Sequence, residues 1–303
     1  MGSNGQKEDH ASELAGLFSL RKLPDAQSDY ASARYVVLGV PFDNTSSYRR
    51  GSRFAPDAIR NAYWNLESFE FHYGVNIPDA MIYDAGNLFE SEDVEEVIDS
   101  VETAVRYVSA DGKVPILLGG EHSITVGALR NFRDCGMIIV DAHSDFRDSY
   151  MGSRFNHACV TRRALELLGP GRIVSVGTRS VSREEFESEE WKDVRFITAD
   201  EVRERGIRDV IGEIRSMGFR RVYFSIDMDG IDPAYAPGVG TPEPFGLTDR
   251  DVRELIGAFA GITVAFDIVE ITPVYDNGNT SVLAAKFIQE FIGQRERKAS
   301  KKP

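Results

Sequence analysis

The chain has 303 residues, of which 42% are hydrophobic and 27% are charged, as in soluble globular proteins that bury a substantial core. Its 35 basic and 48 acidic residues give a formal net charge of −13, which argues against a nucleic-acid or anionic-membrane partner and favours a small cationic one. No apolar run approaches the roughly 20 residues of a spanning helix, and residues 1–10 lack the apolar core of a signal peptide, so we expect a cytoplasmic protein.

Hydrophobic runs and helical patterns alternate along the chain after a polar lead, residues 1–33, which we expect to be a partly disordered extension. Strands are predicted at residues 34–40, 80–85, 114–118, 137–140, 172–176, 194–198, 221–226 and 262–266. Helices are predicted to open near residues 55, 91, 123, 157, 200, 247 and 278, with Asp200 as a cap. This alternation is typical of a single α/β domain with a parallel sheet covered on both faces.

Acidic side chains and a histidine follow two of these strands at alternate positions. Asp141, His143 and Asp145 end one hydrophobic run, and Asp227 and Asp229 end another. Alternate residues of a strand share one face, so these side chains should converge where the strands end. Carboxylates packed this closely repel one another, and neither stretch contains Lys or Arg. We therefore predict a divalent metal site, with more than one ion.

His122 and Glu270 also fall at carboxyl ends of predicted strands, the edge where ligands bind in such sheets. Two histidines and several carboxylates without a thiolate suit Mn²⁺ better than a structural zinc ion. Two such ions would hold a hydroxide between them at neutral pH, which indicates hydrolysis. Taken alone, His122 would more often be a helix-start residue bonded to backbone than a metal ligand.

Several neighbouring residues receive structural interpretations instead. Asp232, directly before a proline, is expected to cap a turn, and Glu121 could support the site from behind. The glycine pair 119–120 lacks the spacing and lysine of a phosphate loop, so it indicates a constrained backbone. Cys135 and Cys159 are interpreted as reduced, buried thiols.

Four motifs resemble, in order and spacing, those of the ureohydrolase family, the arginases and agmatinases, with agmatinase as the best match. They are GGEHS at 119–123, DAHSD at 141–145, SIDMDGIDP at 225–233 and EITP at 270–273, and the likeness extends to residues 39–43 and 48–60. The resemblance implies one ureohydrolase domain, residues 1–303, built as a three-layer α/β/α sandwich around an eight-stranded sheet. It further implies two Mn²⁺ ions per subunit, hydrolysis of a guanidinium to urea and an amine, and a homo-oligomer, either a trimer or a hexamer.

The same resemblance implies a role for each site residue. Each Mn²⁺ would bind four side chains, and Asp141 and Asp227 would be shared. The ligands of the first ion would be His122, Asp141, Asp145 and Asp227, and those of the second His143, Asp141, Asp227 and Asp229. A bridging hydroxide would attack the guanidinium carbon while Asp145 orients it, and Glu270 would pair with the substrate guanidinium. His157 would bind substrate and pass a proton to the departing amine, unless it is only a histidine at the start of a helix.

The resemblance favours agmatine, cleaved to putrescine and urea, over arginine or a guanidino acid such as 4-guanidinobutyrate. Arginases carry Ile-Asn after the DxHxD motif, whereas this chain has Phe146 and Arg147. Arg147 could receive a substrate carboxylate, although a solvated or intersubunit ion pair with an acidic neighbour such as Asp148 is the preferred interpretation. More distant alternatives are a deacetylase with a single zinc ion and a phosphohydrolase with two metals.

Overall fold

The computed structural model describes residues 22–300 together with His10, Leu14 and Leu17. Most of the predicted N-terminal extension, residues 1–33, lies outside the described part. None of the helices in the described part is long and apolar enough to cross a membrane.

The central sheet has eight strands, and all of their pairings are parallel, as predicted. Its strands are β1 (Tyr35–Val40), β4 (Ile82–Asn87), β5 (Val114–Gly119), β6 (Gly136–Val140), β7 (Ile173–Thr178), β8 (Arg195–Thr198), β9 (Val222–Asp227) and β10 (Thr263–Val269). Their order across the sheet is β4-β1-β5-β10-β9-β6-β7-β8. A small antiparallel hairpin, which sequence reasoning missed, adds β2 (Phe69–Glu70) and β3 (Val75–Asn76).

Helices cover both faces of the sheet. They are α1 (Ala55–Tyr63), α2 (Val94–Ala110), α3 (Ile124–Leu129), α4 (Val160–Leu168), α5 (Arg183–Phe186), α6 (Ala199–Arg205), α7 (Ile207–Ser216), α8 (Asp249–Phe259) and α9 (Asn279–Ser300). Strand residues alternate between the two apolar cores, so that Ile138 and Val140 pack with α1 and α6–α9 while Met137 and Ile139 pack with α2–α4. The predicted three-layer α/β/α sandwich is confirmed.

The start of α6 differs from the prediction. Thr198 caps this helix, because its side chain accepts from the Glu201 backbone N–H while the Glu201 side chain accepts from the Thr198 backbone N–H. Asp200 lies inside the first turn and is therefore not the cap. Gly206, at φ +82°, then separates α6 from α7, where a single helix was expected.

Four adjacent strands position the predicted site. In the order β5, β10, β9 and β6 they occupy the middle of the sheet. His122 follows β5, Glu270 directly follows β10, Asp227 is the last residue of β9, and Asp141 directly follows β6. Because the strands are parallel, their carboxyl ends bring these residues to one edge of the sheet.

Candidate metal centre and active site

His122 lies at the bottom of the site with three carboxylates around one ring nitrogen. Its Nδ1 is 3.2 Å from Asp145 Oδ2, 3.3 Å from Asp227 Oδ2 and 3.4 Å from Asp141 Oδ2. All four side chains are buried. Neither His122 Nδ1 nor Asp141 Oδ2 has a hydrogen-bond partner, which is costly for buried polar atoms unless a cation lies between them.

A second group of candidate ligands shares Asp141 with the first. His143 Nδ1 is 3.0 Å from Asp229 Oδ2 and 3.8 Å from Asp141 Oδ1, so the two oxygens of Asp141 face different histidines. One ligand atom from each of Asp141, His143 and Asp229 fits within the span of a single ion, as does one from each of His122, Asp141 and Asp145. The structure thus brings all six predicted ligands together and separates them into two groups.

Backbone donors and one hydroxyl hold the aspartates in place. Asp141 Oδ1 accepts from the His143 N–H at 2.6 Å, and Asp227 Oδ1 accepts from the Asp229 N–H at 2.9 Å. Asp229 accepts from the Ala142 N–H at 3.2 Å and from the Thr241 hydroxyl at 2.9 Å. Asp141, Asp227 and Asp229 are therefore oriented before any ion binds.

The electrostatics of the protein groups alone are unbalanced. Burial and the nearby Asp145 carboxylate raise the pKa of Asp141 to about 7, and burial with Asp229 raises the pKa of Asp227 well above its ordinary value. Burial by itself would lower the pKa of His143, but Asp229 outweighs it and raises that pKa to about 11. These shifts show an excess of negative charge, and divalent cations would supply the missing positive charge.

Glu270 lies beside the metal-ligand candidates in a strained backbone conformation. Its φ of +65° lies in the left-handed region, which a non-glycine residue seldom adopts and which often marks a functional site. The turn directs its carboxylate back over β5, where Oε1 accepts from the His122 backbone N–H at 2.7 Å. Burial and the neighbouring Glu121 raise the pKa of Glu270 well above its ordinary value. A cationic ligand beside Glu270 would stabilise the charged form of its carboxylate.

A cavity of about 290 Å³ opens above these residues. It is lined by Glu270, His157 and Arg147, together with four of the six ligand candidates: His143, Asp145, Asp227 and Asp229. The predicted catalytic residues thus meet most of the ligand candidates at one cavity, whose size suits a small molecule.

His157 borders this cavity. It begins a short 3-10 turn that ends at Cys159, so α4 begins later than predicted. Its Nδ1 is 3.3 Å from the Thr45 hydroxyl, and its Nε2 is 3.4 Å from the Ser47 hydroxyl. Thr45 in turn donates its hydroxyl and its backbone N–H to Glu121 at 2.5 and 2.8 Å. Glu121 therefore supports the site from behind, through Thr45, a residue that sequence reasoning missed.

Arg147 also borders the cavity, and within this chain it does not form the ion pair with Asp148 that the sequence suggested. An ion pair with a neighbouring subunit stays a prediction. Asp148, its expected partner, pairs with Arg163 at 2.7 Å instead. The Arg147 guanidinium lies over the Tyr150 ring, 4.9 Å from its centre, and no carboxylate within the described ranges is at ion-pair distance from it. Arg147 is thus a cation at the cavity wall without an acidic partner in that part of the chain.

The structural interpretations of other residues are confirmed. Asp232 accepts from the Ala234 and Gly246 backbone N–H groups, both at 2.9 Å, and holds a turn. Gly120 packs so closely on the Phe42 backbone that a Cβ would lie 1.9 Å from its carbonyl oxygen. Both cysteines are free and buried, and burial raises the pKa of Cys159 to about 12, so this thiol is a poor nucleophile.

Similarity to known proteins identifies the family of this chain. The model of the arginase family matches residues 33–293. The chain belongs to the arginase family. Proteins of this family bind a binuclear metal centre and hydrolyse amidine C–N bonds, so the predicted ureohydrolase class and enzymatic activity are confirmed.

Three similar proteins illustrate the match within the arginase family. The crystal structure of agmatine ureohydrolase of Thermoplasma volcanium is 60% identical, with a TM-score of 0.92 over 96% of this chain and 100% of that one. Agmatinase of Pyrococcus horikoshii is 37% identical over 89% of this chain and 94% of its own length. Guanidinobutyrase of Pseudomonas aeruginosa is 34% identical over 92% of both chains.

Proposed function

We propose that this enzyme hydrolyses agmatine to putrescine and urea at a centre of two Mn²⁺ ions per subunit. The observation that carries the proposal is the pair of histidine and carboxylate groups joined by Asp141, lying beside a cavity that Glu270 lines. The agmatine ureohydrolase of Thermoplasma volcanium, at 60% identity, supports agmatine as the substrate. The acidic chain, with a net charge of −13, favours this dicationic molecule as well.

The ligands proposed for the first ion are the three carboxylates around His122 and His122 itself. Those proposed for the second are His143, Asp229 and the shared Asp141 and Asp227. Oxygen and imidazole donors without a thiolate suit Mn²⁺. When bound, the two ions would neutralise the carboxylates and lower the pKa of the attacking water.

The remaining steps fall to side chains at the cavity. Glu270, held by the His122 N–H, would accept from the substrate guanidinium in a charge-assisted hydrogen bond. Asp145 would accept a hydrogen bond from the nucleophile and orient it toward the guanidinium carbon. His157 would donate a proton to the departing amine, with Thr45 and Glu121 fixing its ring.

Two further predictions from the sequence remain part of the proposal. We infer a cytoplasmic enzyme that assembles as a homo-oligomer, a trimer or a hexamer. The assembly is inferred from the resemblance of the sequence motifs to those of the ureohydrolase family.

A guanidino-acid hydrolase is the second candidate, because Arg147 borders the cavity without an acidic partner among the described residues. A cation there could bind the carboxylate of 4-guanidinobutyrate in place of water. The likeness to guanidinobutyrase of Pseudomonas aeruginosa supports this candidate, at a lower identity than the agmatine ureohydrolase.

Product analysis tests the proposal. Purified, Mn²⁺-loaded enzyme is expected to release urea and putrescine in equal amounts from agmatine. Ammonia with N-carbamoylputrescine, or no turnover of agmatine, would contradict it. Faster turnover of 4-guanidinobutyrate, lost selectively in Arg147→Ala, would establish the second candidate instead.

A further inference from the structure

Asp267 is a fully buried carboxylate to which the proposed chemistry assigns no role. It lies in β10, three residues before Glu270, and no lysine or arginine in the described part of the chain forms an ion pair with it. Three hydroxyl groups face it instead. Ser225 bonds to Oδ1 at 2.5 Å, while Tyr223 and Thr125 bond to Oδ2 at 2.5 and 2.8 Å. Burying a carboxylate without a cation is costly, so this arrangement calls for an explanation.

The Ser225 hydroxyl connects Asp267 to His122. Its oxygen is 3.1 Å from His122 Nε2 on the side away from the metal-ligand carboxylates. A hydroxyl has one proton, and an ionised carboxylate can only accept. Ser225 therefore donates to Asp267 and is left to accept from Nε2, which must carry a hydrogen.

This direction of donation determines which nitrogen of His122 is free. With the hydrogen on Nε2, the neutral imidazole keeps a lone pair on Nδ1. Nδ1 is the atom that faces Asp141, Asp145 and Asp227 at 3.2 to 3.4 Å. A lone pair that faces three carboxylates is positioned to bind a cation held among them.

We propose that Asp267 is a positioning residue of the metal centre, acting through Ser225 to hold His122 with its Nδ1 lone pair directed at the ion. The inference rests on the metal ligands named in the proposed function. The buried carboxylate also places negative charge behind the imidazole, which makes the imidazole a stronger donor to a cation. The ions in turn supply the positive charge that the surroundings of Asp267 otherwise lack.

Titration of the metal-stripped, full-length chain with Mn²⁺ tests the inference, with free Mn²⁺ measured from its electron paramagnetic resonance signal. Ser225→Ala and Asp267→Asn are each expected to weaken one binding step by about 10- to 100-fold. The double variant is expected to bind no more weakly than the more affected single variant, because both changes interrupt one relay.

Thr125→Val is the matched control. It removes a hydroxyl that donates to Asp267 but does not lie between Asp267 and His122, so Mn²⁺ affinity should stay within about threefold of wild type. Equal weakening by Thr125→Val would show that the cluster acts only through general stability. Additive losses in the double variant would also contradict the relay.

Folding of the variants is checked by circular dichroism before titration. If Asp267→Asn does not fold, Ser225→Ala decides alone, and wild-type Mn²⁺ affinity in that folded variant overturns the inference. Failure of the proposed function looks different. Wild-type enzyme that binds two Mn²⁺ ions yet releases no urea from agmatine would refute the substrate while leaving the relay intact.

Discussion

Removing the metal ions by chelation is expected to make the protein lose stability as the pH rises from about 7 to about 8.5. Without ions, His122 and His143 are surrounded by carboxylates that outweigh the effect of burial and raise the pKa of both imidazoles. Each imidazole therefore stabilises the metal-free fold in its protonated form. That contribution is complete below the unfolded pKa of about 6.5 and is lost as the pH rises toward the folded pKa.

The size of the loss follows from the protons bound. The folded pKa of His143 is about 11, so between about pH 7 and 8.5 the folded state holds one proton that the unfolded state largely lacks. The free energy of unfolding then falls by about 1.4 kcal/mol per pH unit, or about 2 kcal/mol over this interval. His122 acts in the same direction, so the total loss exceeds that from His143 alone. The charging of Asp141, whose pKa is raised to about 7, adds to the loss near neutral pH.

Metal binding should abolish this dependence, because the ligating imidazoles are then unprotonated in the folded state as well. The assay is urea unfolding followed by circular dichroism, with a chelator or with excess Mn²⁺, at both pH values. His143→Asn should remove about 2 kcal/mol of the loss in the chelated protein. His72 is exposed and lies outside the site, so His72→Asn should change nothing. Equal pH dependence with and without metal, or a chelated protein that gains stability with pH, would refute the reasoning.

Three substitutions test individual assignments. Asp227→Asn should eliminate detectable urea release and reduce bound Mn²⁺ in metal analysis. Asp232 holds a turn, so Asp232→Asn should chiefly lower the unfolding temperature. Two equivalents of Mn²⁺ and normal turnover in Asp227→Asn would contradict the ligand set. His157→Ala should lower kcat by about 10²- to 10⁴-fold at unchanged metal content, and an unaltered kcat would make His157 structural. Thr45→Val should lower kcat about tenfold at unchanged metal content, since it cuts the link from Glu121, and steady-state kinetics on folded enzyme would show whether that link matters.

The sheet and the ligand groups could be predicted because each rests on a local pattern. Buried parallel strands are continuous hydrophobic runs, and the polar positions 141, 143 and 145 directly follow such a run, so they lie just beyond the carboxyl end of β6. Parallel strands then bring such ends together, so His122 and Glu270 could be added from their positions alone.

The misses concern contacts between distant residues or competition between similar ones. Thr45 reaches His157 across 112 positions, and a loop threonine carries no signal of that contact. Thr198 and Asp200 are both good caps, and only the backbone conformation of Thr198, which is extended, decides between them. The sequence allows Arg147 to pair with its neighbour Asp148, and only the fold shows that Arg163 binds that carboxylate.

The substrate preference follows from the charges at the two ends of each candidate. Agmatine has a guanidinium and an ammonium, whereas arginine and 4-guanidinobutyrate carry a carboxylate that needs donors in place of water. Leaving such a group unpaired on burial costs roughly 1–3 kcal/mol, or about tenfold to more than a hundredfold in affinity. Arg147 is the one lysine or arginine among the described residues that line the cavity.

The most direct measurement is therefore kcat/KM for urea release from agmatine, arginine and 4-guanidinobutyrate by the same Mn²⁺-loaded preparation. Metal-stripped enzyme serves as the blank. We expect agmatine to exceed both other substrates by at least about tenfold. A higher value for arginine or 4-guanidinobutyrate would contradict agmatine as the substrate, and selective loss of that activity in Arg147→Ala would assign the preference to Arg147.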